Sequence, residues 1–280
     1  METTQATPSR ALPHLELTKA WSWWRRLLFL TALAAPPLVI ASNLAWWACV
    51  YAVCTNTLLL IGWLVPTSNW LGPVLNRLPP GENEIWLTID DGPSADTIPL
   101  AQMLHVKGIT ATFFFRGNQI AKFPGVPRQI SNLGHSVANH TMTHPLPWFW
   151  MLPPGHVARE IDGCEKRIRD EGVIPLPYFR CPAGVKNPFL HRLLSGREMT
   201  LAGWTVRAYD GIVCNIERST AHILRHLVPG AILLVHEGKN DRAGNPASLR
   251  FIETLVDEIE QRGFRFYQIP QQSLPKSNRG

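Results

Sequence analysis

The sequence predicts an α/β fold, a distorted, seven-stranded (β/α) barrel preceded by an N-terminal membrane segment. Three observations carry this. From Ile85 onward, short β-type runs alternate with helix-like stretches, the pattern of parallel strands joined by crossover helices. Seven such runs occur, which suits a barrel, with a doubly wound open sheet as the alternative. From Leu27 to Asn76 there is no Asp, Glu, Lys or Arg, and a bilayer-spanning helix needs about 20 apolar residues.

Taken in order, residues 1–26 read as a basic N-terminal tail. Residues 27–65 read as a transmembrane anchor of one or two helices. Pro36-Pro37 breaks a helix there, and Trp46, Trp47, Trp63 and Trp70 suit interface anchors. Lys19, Arg25 and Arg26 favour a cytoplasmic N-terminus, as in a bacterial-type inner membrane. One span then leaves the rest extracytoplasmic, and a hairpin returns it to the cytoplasm. Residues 66–84, with Pro66, Gly72, Pro79, Pro80 and Gly81, read as a linker. Strands are expected at Ile85–Asp90, Ala111–Arg116, Ser136–Asn139, Pro177–Arg180, Leu201–Val206, Ala231–His236 and Phe264–Ile269. "HVAREIDGCEKRIRDEG" places Val157, Ile161, Cys164 and Ile168 at helical spacing. "SLRFIETLVDEIEQRG" does the same with Ile252, Leu255, Val256 and Ile259. The domain runs over 85–270, and 271–280 is a tail.

The formal charge is +6 and the pI near 9.3. The basic residues are scattered, so no nucleic-acid partner is expected, and no protein partner can be inferred. Five cysteines, Cys49, Cys54, Cys164, Cys181 and Cys214, show no CxxC or zinc-knuckle spacing.

The chemistry-bearing residues fall at or just beyond the expected strand ends, where barrel active sites gather. "IWLTIDDGPS" ends an apolar run on Asp90 and Asp91 and then turns at Gly92-Pro93. "NHTMTHP" spaces His140 and His144 so that one helical turn points both imidazoles to one side. With one carboxylate they make a two-nitrogen, one-oxygen set with open positions, suited to a catalytic zinc or another divalent metal. The aspartates then divide the work, one on the metal and one free as a base. "YFRCPAG" puts Arg180 where it can orient a carboxylate. "ILLVHEG" puts His236 at a strand end, and "WTVRAYDG" offers Asp210 as a partner for Arg180 or for a histidine.

These motifs together resemble the polysaccharide deacetylase family of chitin, peptidoglycan and chitooligosaccharide deacetylases and acetylxylan esterases. "TIDDGP" matches its first motif, "HTMTH" its second, "RCPAG" its third and "ILLVH" its fifth. The fourth motif, DxxDW, departs: Arg207 stands for the first Asp and Gly211 for the Trp. The resemblance implies that Asp91, His140 and His144 bind the metal, with Zn2+ the leading identity, and that Asp90 is the general base. It implies that Arg180, held by Asp210, tunes Asp90, and that His236 is the general acid. It further implies an oxyanion donor at the Ala183 backbone N–H and an acyl-methyl pocket lined by Leu234. The implied activity removes an acetyl group from an N-acetylated amino sugar in a glycan or a lipid-linked saccharide. Alternatives are an O-acetyl carbohydrate esterase and a membrane-anchored saccharide-binding protein without activity.

Overall fold

A computed structural model describes residues 45–79, 83–267 and 269. Seven parallel strands follow one path: β1 (Glu84–Asp90), β2 (Thr112–Phe115), β3 (Ser136–Asn139), β4 (Tyr178–Phe179), β5 (Thr200–Leu201), β6 (Val206–Arg207) and β7 (Ile232–His236). Their spatial order is β5-β4-β3-β2-β1-β7-β6, and β8 (Arg265–Phe266) pairs with the start of β1. Tyr267 N–H donates to the Ile85 carbonyl and Gly230 N–H to the Glu84 carbonyl, so β8 and β7 lie on opposite edges of β1.

The expected strand over Leu201–Val206 splits in two. β5 and β6 stand at opposite ends of the path, and Ala202–Thr205 cross the gap between them. The sheet is therefore a curled, incomplete barrel. Part of the gap is filled by residues expected as linker. Leu75 bridges Ala202 and Arg77 bridges Ala231, while Val74, Leu75 and Leu78 are buried. The Pro and Gly content that reads as a linker marks a chain that turns often while packed.

Strand alternation divides the core. Ile85, Leu87 and Ile89 pack under helices α2 (Thr97–Val106) and α8 (Ser248–Gln261) in the larger cluster, with Phe113, Leu233 and Val235. Trp86, Phe114, Ala138, Tyr178, Ile232 and Leu234 form the inner cluster. Trp86 Nε1–H finds the Thr112 hydroxyl at 2.8 Å, so the largest inner side chain buries no unpaired donor. The remaining helices of the domain are α3 (Gly117–Ile120), α4 (Val126–Asn132), α5 (Pro154–Asp170), α6 (Leu190–Ser195) and α7 (Ile216–His226). α5 buries Val157, Ile161, Cys164 and Ile168, and α8 buries Ile252, Leu255, Val256 and Ile259, as their periodicity predicts.

Of the expected membrane anchor, residues 27–44 lie outside the described residues. Ala45–Leu64 forms helix α1. Among the described residues no helix is long and apolar enough to cross a membrane. The C-terminal end of α1 instead rests on the domain. The buried Lys186 ammonium donates to the Val65 carbonyl at 2.5 Å and the Gly62 carbonyl at 3.4 Å, satisfying acceptors that the helix end leaves open. Burial pushes the Lys186 amine down to about 8.

Candidate active site

The register places the site. Asp90 pairs with Phe114 on one side and with His236 on the other, so the last inward positions of β1 and β7 are neighbours. β1 then ends in a left-handed residue: Asp91 has φ 75°. That reversal lets two successive carboxylates serve one cluster, which strand geometry alone forbids. Gly92 allows it. A Cβ there would lie 1.8 Å from Glu237 Oε1 and 2.7 Å from a Phe115 ring carbon.

His140 and His144 converge by a different local structure from the helical turn expected. Residues 140–144 form a loop in which Thr141 (φ 70°) and His144 (φ 57°) are left-handed. The Asn139 side chain accepts from Thr141 N–H at 2.9 Å, and Thr141 Oγ1 accepts from His144 N–H at 3.0 Å. These side-chain bonds substitute for helical ones.

The ligand atoms of Asp91, His140 and His144 lie within 4.8 Å of one another. Nε2 of His144 is 3.5 Å and Nε2 of His140 3.8 Å from Asp91 Oδ1. His140 Nδ1 donates to the Arg180 carbonyl at 2.9 Å, which fixes the tautomer with the Nε2 lone pair toward the cluster. Burial lowers both imidazoles. His144, with His140 beside it, falls to about 3, and His140 shifts down although Asp90 and Asp91 oppose it. Burial works to raise Asp91, but the imidazoles of His140 and His236 and the Lys239 ammonium outweigh it and hold the carboxyl well below its usual range. One ionised carboxylate and two neutral imidazoles fit a divalent cation.

Asp90 lies beside this set, with Oδ2 at 3.7 Å from His140 Nε2. Its Oδ1 accepts from Arg180 at 2.6 Å. Arg180 is fully buried and is not held by Asp210. It bonds Thr88 Oγ1 at 2.8 Å and the Gly203 carbonyl at 2.9 Å, and lies 4.0 Å over the Phe114 ring. Asp210 turns to His236 instead. Its Oδ1 meets Nδ1 at 2.7 Å, and its Oδ2 accepts the His236 backbone N–H at 2.8 Å. Burial works to lower His236, but Asp210, with Asp90 and Asp91, outweighs it and raises the imidazole. Gly211 lies at this imidazole, where an added Cβ would be 3.3 Å from Cε1.

Ala183 sits in a left-handed conformation (φ 49°, ψ 15°) within the RCPAG turn. At Gly184 (φ 72°) a Cβ would lie 2.5 Å from Trp204 and from Pro66, so the turn presses on both the gap-crossing segment and the chain leaving α1. Leu234 is buried in the inner cluster with Trp86, Phe114 and Trp204.

Three residues escaped the sequence reading. Lys239 donates to Asp91 Oδ2 at 2.7 Å. Arg116 comes within 3.8 Å of Asp91 Oδ1. Glu237 is buried behind Gly92, accepts from the Ser94 hydroxyl at 2.7 Å and from Thr97, and is pushed up to about 7 by burial. Their only signal is adjacency to the motifs, in "HEGK" and "FFFR".

A parallel half-barrel gathering a carboxylate–imidazole cluster, an arginine-held carboxylate and an aspartate-held imidazole at its strand ends defines a hydrolase-type site. Residues 77–201 match the family model described as polysaccharide deacetylase. It is 29% identical to a chitooligosaccharide deacetylase of Bradyrhizobium sp. (strain ANU 289) over 201 residues, 68% of this chain and 91% of that protein. It is 28% identical to a peptidoglycan-N-acetylglucosamine deacetylase of Bacillus cereus over 207 residues, 71% and 92% of the two chains. The fold is shared with a crystal structure of a peptidoglycan N-acetylglucosamine deacetylase bound to a naphthalenyl N-hydroxybenzamide. That match has a TM-score of 0.62 and 23% identity, and covers 71% of this chain and 94% of that one.

Proposed function

We propose that this protein is a metal-dependent hydrolase that removes the acetyl group from an N-acetylated amino sugar in a glycan or a lipid-linked saccharide. We further propose that its uncharged stretch from Leu27 through α1 holds it at a membrane. The observation that carries the first reading is the convergence of Asp91, His140 and His144 beside Asp90–Arg180 and His236–Asp210. The relatives' names point to the same substrate class.

Asp91, His140 and His144 hold the cation, for which Zn2+ fits the donor set. When bound, such an ion supplies Lewis acidity toward the acyl carbonyl and toward a water. Asp90, its Oδ1 fixed by Arg180, presents Oδ2 to take the water's proton. The Ala183 backbone N–H donates to the carbonyl oxygen as charge develops on it. His236, whose Nδ1 is held by Asp210, keeps Nε2 free to give the leaving amine its proton. Leu234 packs beside the acyl methyl.

The test loads the full chain with zinc, counts bound metal by mass spectrometry, and follows amine release from N-acetylglucosamine oligomers with and without chelator. About one ion per chain and chelator-sensitive amine release are expected. A folded, metal-loaded protein that releases acetate only from O-acetyl sugars would move the assignment to an esterase. A folded protein that takes up no metal would sink the cluster's role.

A further inference from the structure

Beside Ala183 a cavity of about 590 Å³ opens between the end of α1 and the β6–α7 side of the sheet. That is ample for a small-molecule group and the start of a chain. Its two walls differ in chemistry. One is apolar, with Leu64 and Pro66 from the α1 end and Trp204 and Val206 from the sheet gap. The other is polar, with the Arg207 guanidinium and the imidazoles of His222 and His226. No carboxylate lines it.

Arg207 lies 4.3 Å over the Tyr209 ring, and among the described residues no carboxylate stands within ion-pair distance of its guanidinium. His222 and His226 are one turn apart on α7 with rings 4.5 Å apart. His226 Nδ1 bonds the His222 carbonyl at 2.9 Å, which leaves its Nε2 available. Burial lowers His222, and the charges of His226, Arg225, Arg207 and Arg218 all push it the same way. The wall thus carries positive potential without an internal counter-charge. A guanidinium fork and imidazole nitrogens suit an oxyanion, and the guanidinium matches phosphate geometry. The apolar wall and the uncharged helix α1 that ends at it suit an apolar continuation of the same ligand.

We propose that this cavity is an anion subsite that receives a phosphate group joining the acylated sugar to an apolar chain, with Arg207 as its main recognition residue. The proposal rests on the deacetylase reading only for the sugar, and narrows its substrate class to phosphate-linked glycolipids. The departure of the fourth motif then has a purpose. Arg207 stands where the family's fourth motif has an acid, and puts a guanidinium on the cavity wall instead.

The test has two arms on the full chain. In calorimetry, decyl phosphate is expected to bind, undecanoate and free inorganic phosphate more weakly, and decyl alcohol not at all. Arg207→Met should weaken decyl phosphate at least about tenfold and Arg207→Lys by less, since the charge stays and the fork is lost. In turnover, zinc-loaded protein is given N-acetylglucosamine joined to a decyl chain through a phosphate diester, and the neutral decyl glycoside. Wild type should prefer the diester through KM, and Arg207→Met should cut that preference at least about tenfold with the loss in KM rather than kcat. Arg207-dependent binding with no amine release from any substrate keeps the subsite and sinks the deacetylase reading. Amine release with no preference for the diester, or decyl phosphate binding within twofold in wild type and Arg207→Met, overturns the subsite and leaves the deacetylase standing. Equal affinity for undecanoate overturns phosphate as the recognised group.

Discussion

Two regions of this molecule handle charge in opposite ways. At the strand ends three acids have a cationic or imidazole partner within reach: Asp90 has Arg180, Asp91 has Lys239, and Asp210 has His236. In the cavity beside Ala183, Arg207 and two histidines face no acid. Buried charges are costly unless paired, so the first arrangement keeps its charged groups tolerable without any ligand. A half-exposed positive wall costs less and waits for a charge from outside. In the proposed reading the balanced cluster is where bonds change, and the unbalanced wall is where a ligand is held.

The comparison breaks most visibly at the strand ends. Asp90→Asn should cut turnover on the order of 10³-fold while metal content stays near that of wild type. His140→Ala should lose both. If mass spectrometry found Asp90→Asn as metal-poor as His140→Ala, the two aspartates would not divide the work as proposed. Asp210→Asn comes next, with a loss on the order of 10²-fold. The proposed mechanism needs His236 protonated, and its pKa is raised by Asp210 against the pull of burial. Activity is therefore retained below that pKa and lost as pH rises through it. Removing the Asp210 charge moves the alkaline limb of the kcat/KM profile to lower pH. An unmoved limb would assign the proton to another group.

Glu237 sharpens the contrast, since it is an acid under the cluster with hydroxyl partners rather than a cation. Burial favours its protonated form, with a pKa of about 7 against an ordinary 4.5. Its contribution to stability is full below the ordinary value and is lost as pH rises through about 7. Glu237→Gln should gain up to about 3 kcal/mol over wild type between pH 5 and pH 8, read from urea midpoints at both values. An equal midpoint difference at the two pH values would show that Glu237 does not titrate there. The smallest effect concerns the cavity's apolar wall. Lys186→Met should strip the α1 end of its donor at a cost of about 2 kcal/mol, with faster proteolysis near residues 62–66 and little change in metal content.

Much of the fold was legible because helix and strand periods are strong. Val157, Ile161, Cys164 and Ile168 announce α5, and Ile252 to Ile259 announce α8. Leu201–Val206 misled, because a six-residue run of strand-like character gives no sign that Gly203 and Trp204 cross between two sheet ends. The stretch 66–84 misled for the opposite reason: turn residues mark changes of direction, and a chain that turns can still be buried, as Leu75 is. In the site, the strand-end positions of Asp90, His140, Arg180 and His236 followed from the pattern. Asp210's choice of His236 over Arg180 did not, since it depends on the inward angle of Arg180, which is filled by Thr88 and the Gly203 carbonyl. Lys239 and Glu237 were hidden because a single Lys or Glu beside a motif looks like any surface residue.

The gap in the sheet has a consequence for how this chain is made. Leu75 and Arg77 belong to the earliest part of the domain to leave a ribosome, yet their partners are Ala202 and Ala231. Arg77 also waits for the carbonyl of Pro229, 152 residues later, at 3.0 Å. Contacts so distant in sequence are slow to form. Throughout synthesis, the apolar residues Val74, Leu75 and Leu78 stand uncovered next to an uncharged N-terminal stretch. A nascent chain with such a segment carries exposed apolar surface until the last strands arrive. The seam of the barrel is thus the last part of this domain to close, although one of its edges is made first.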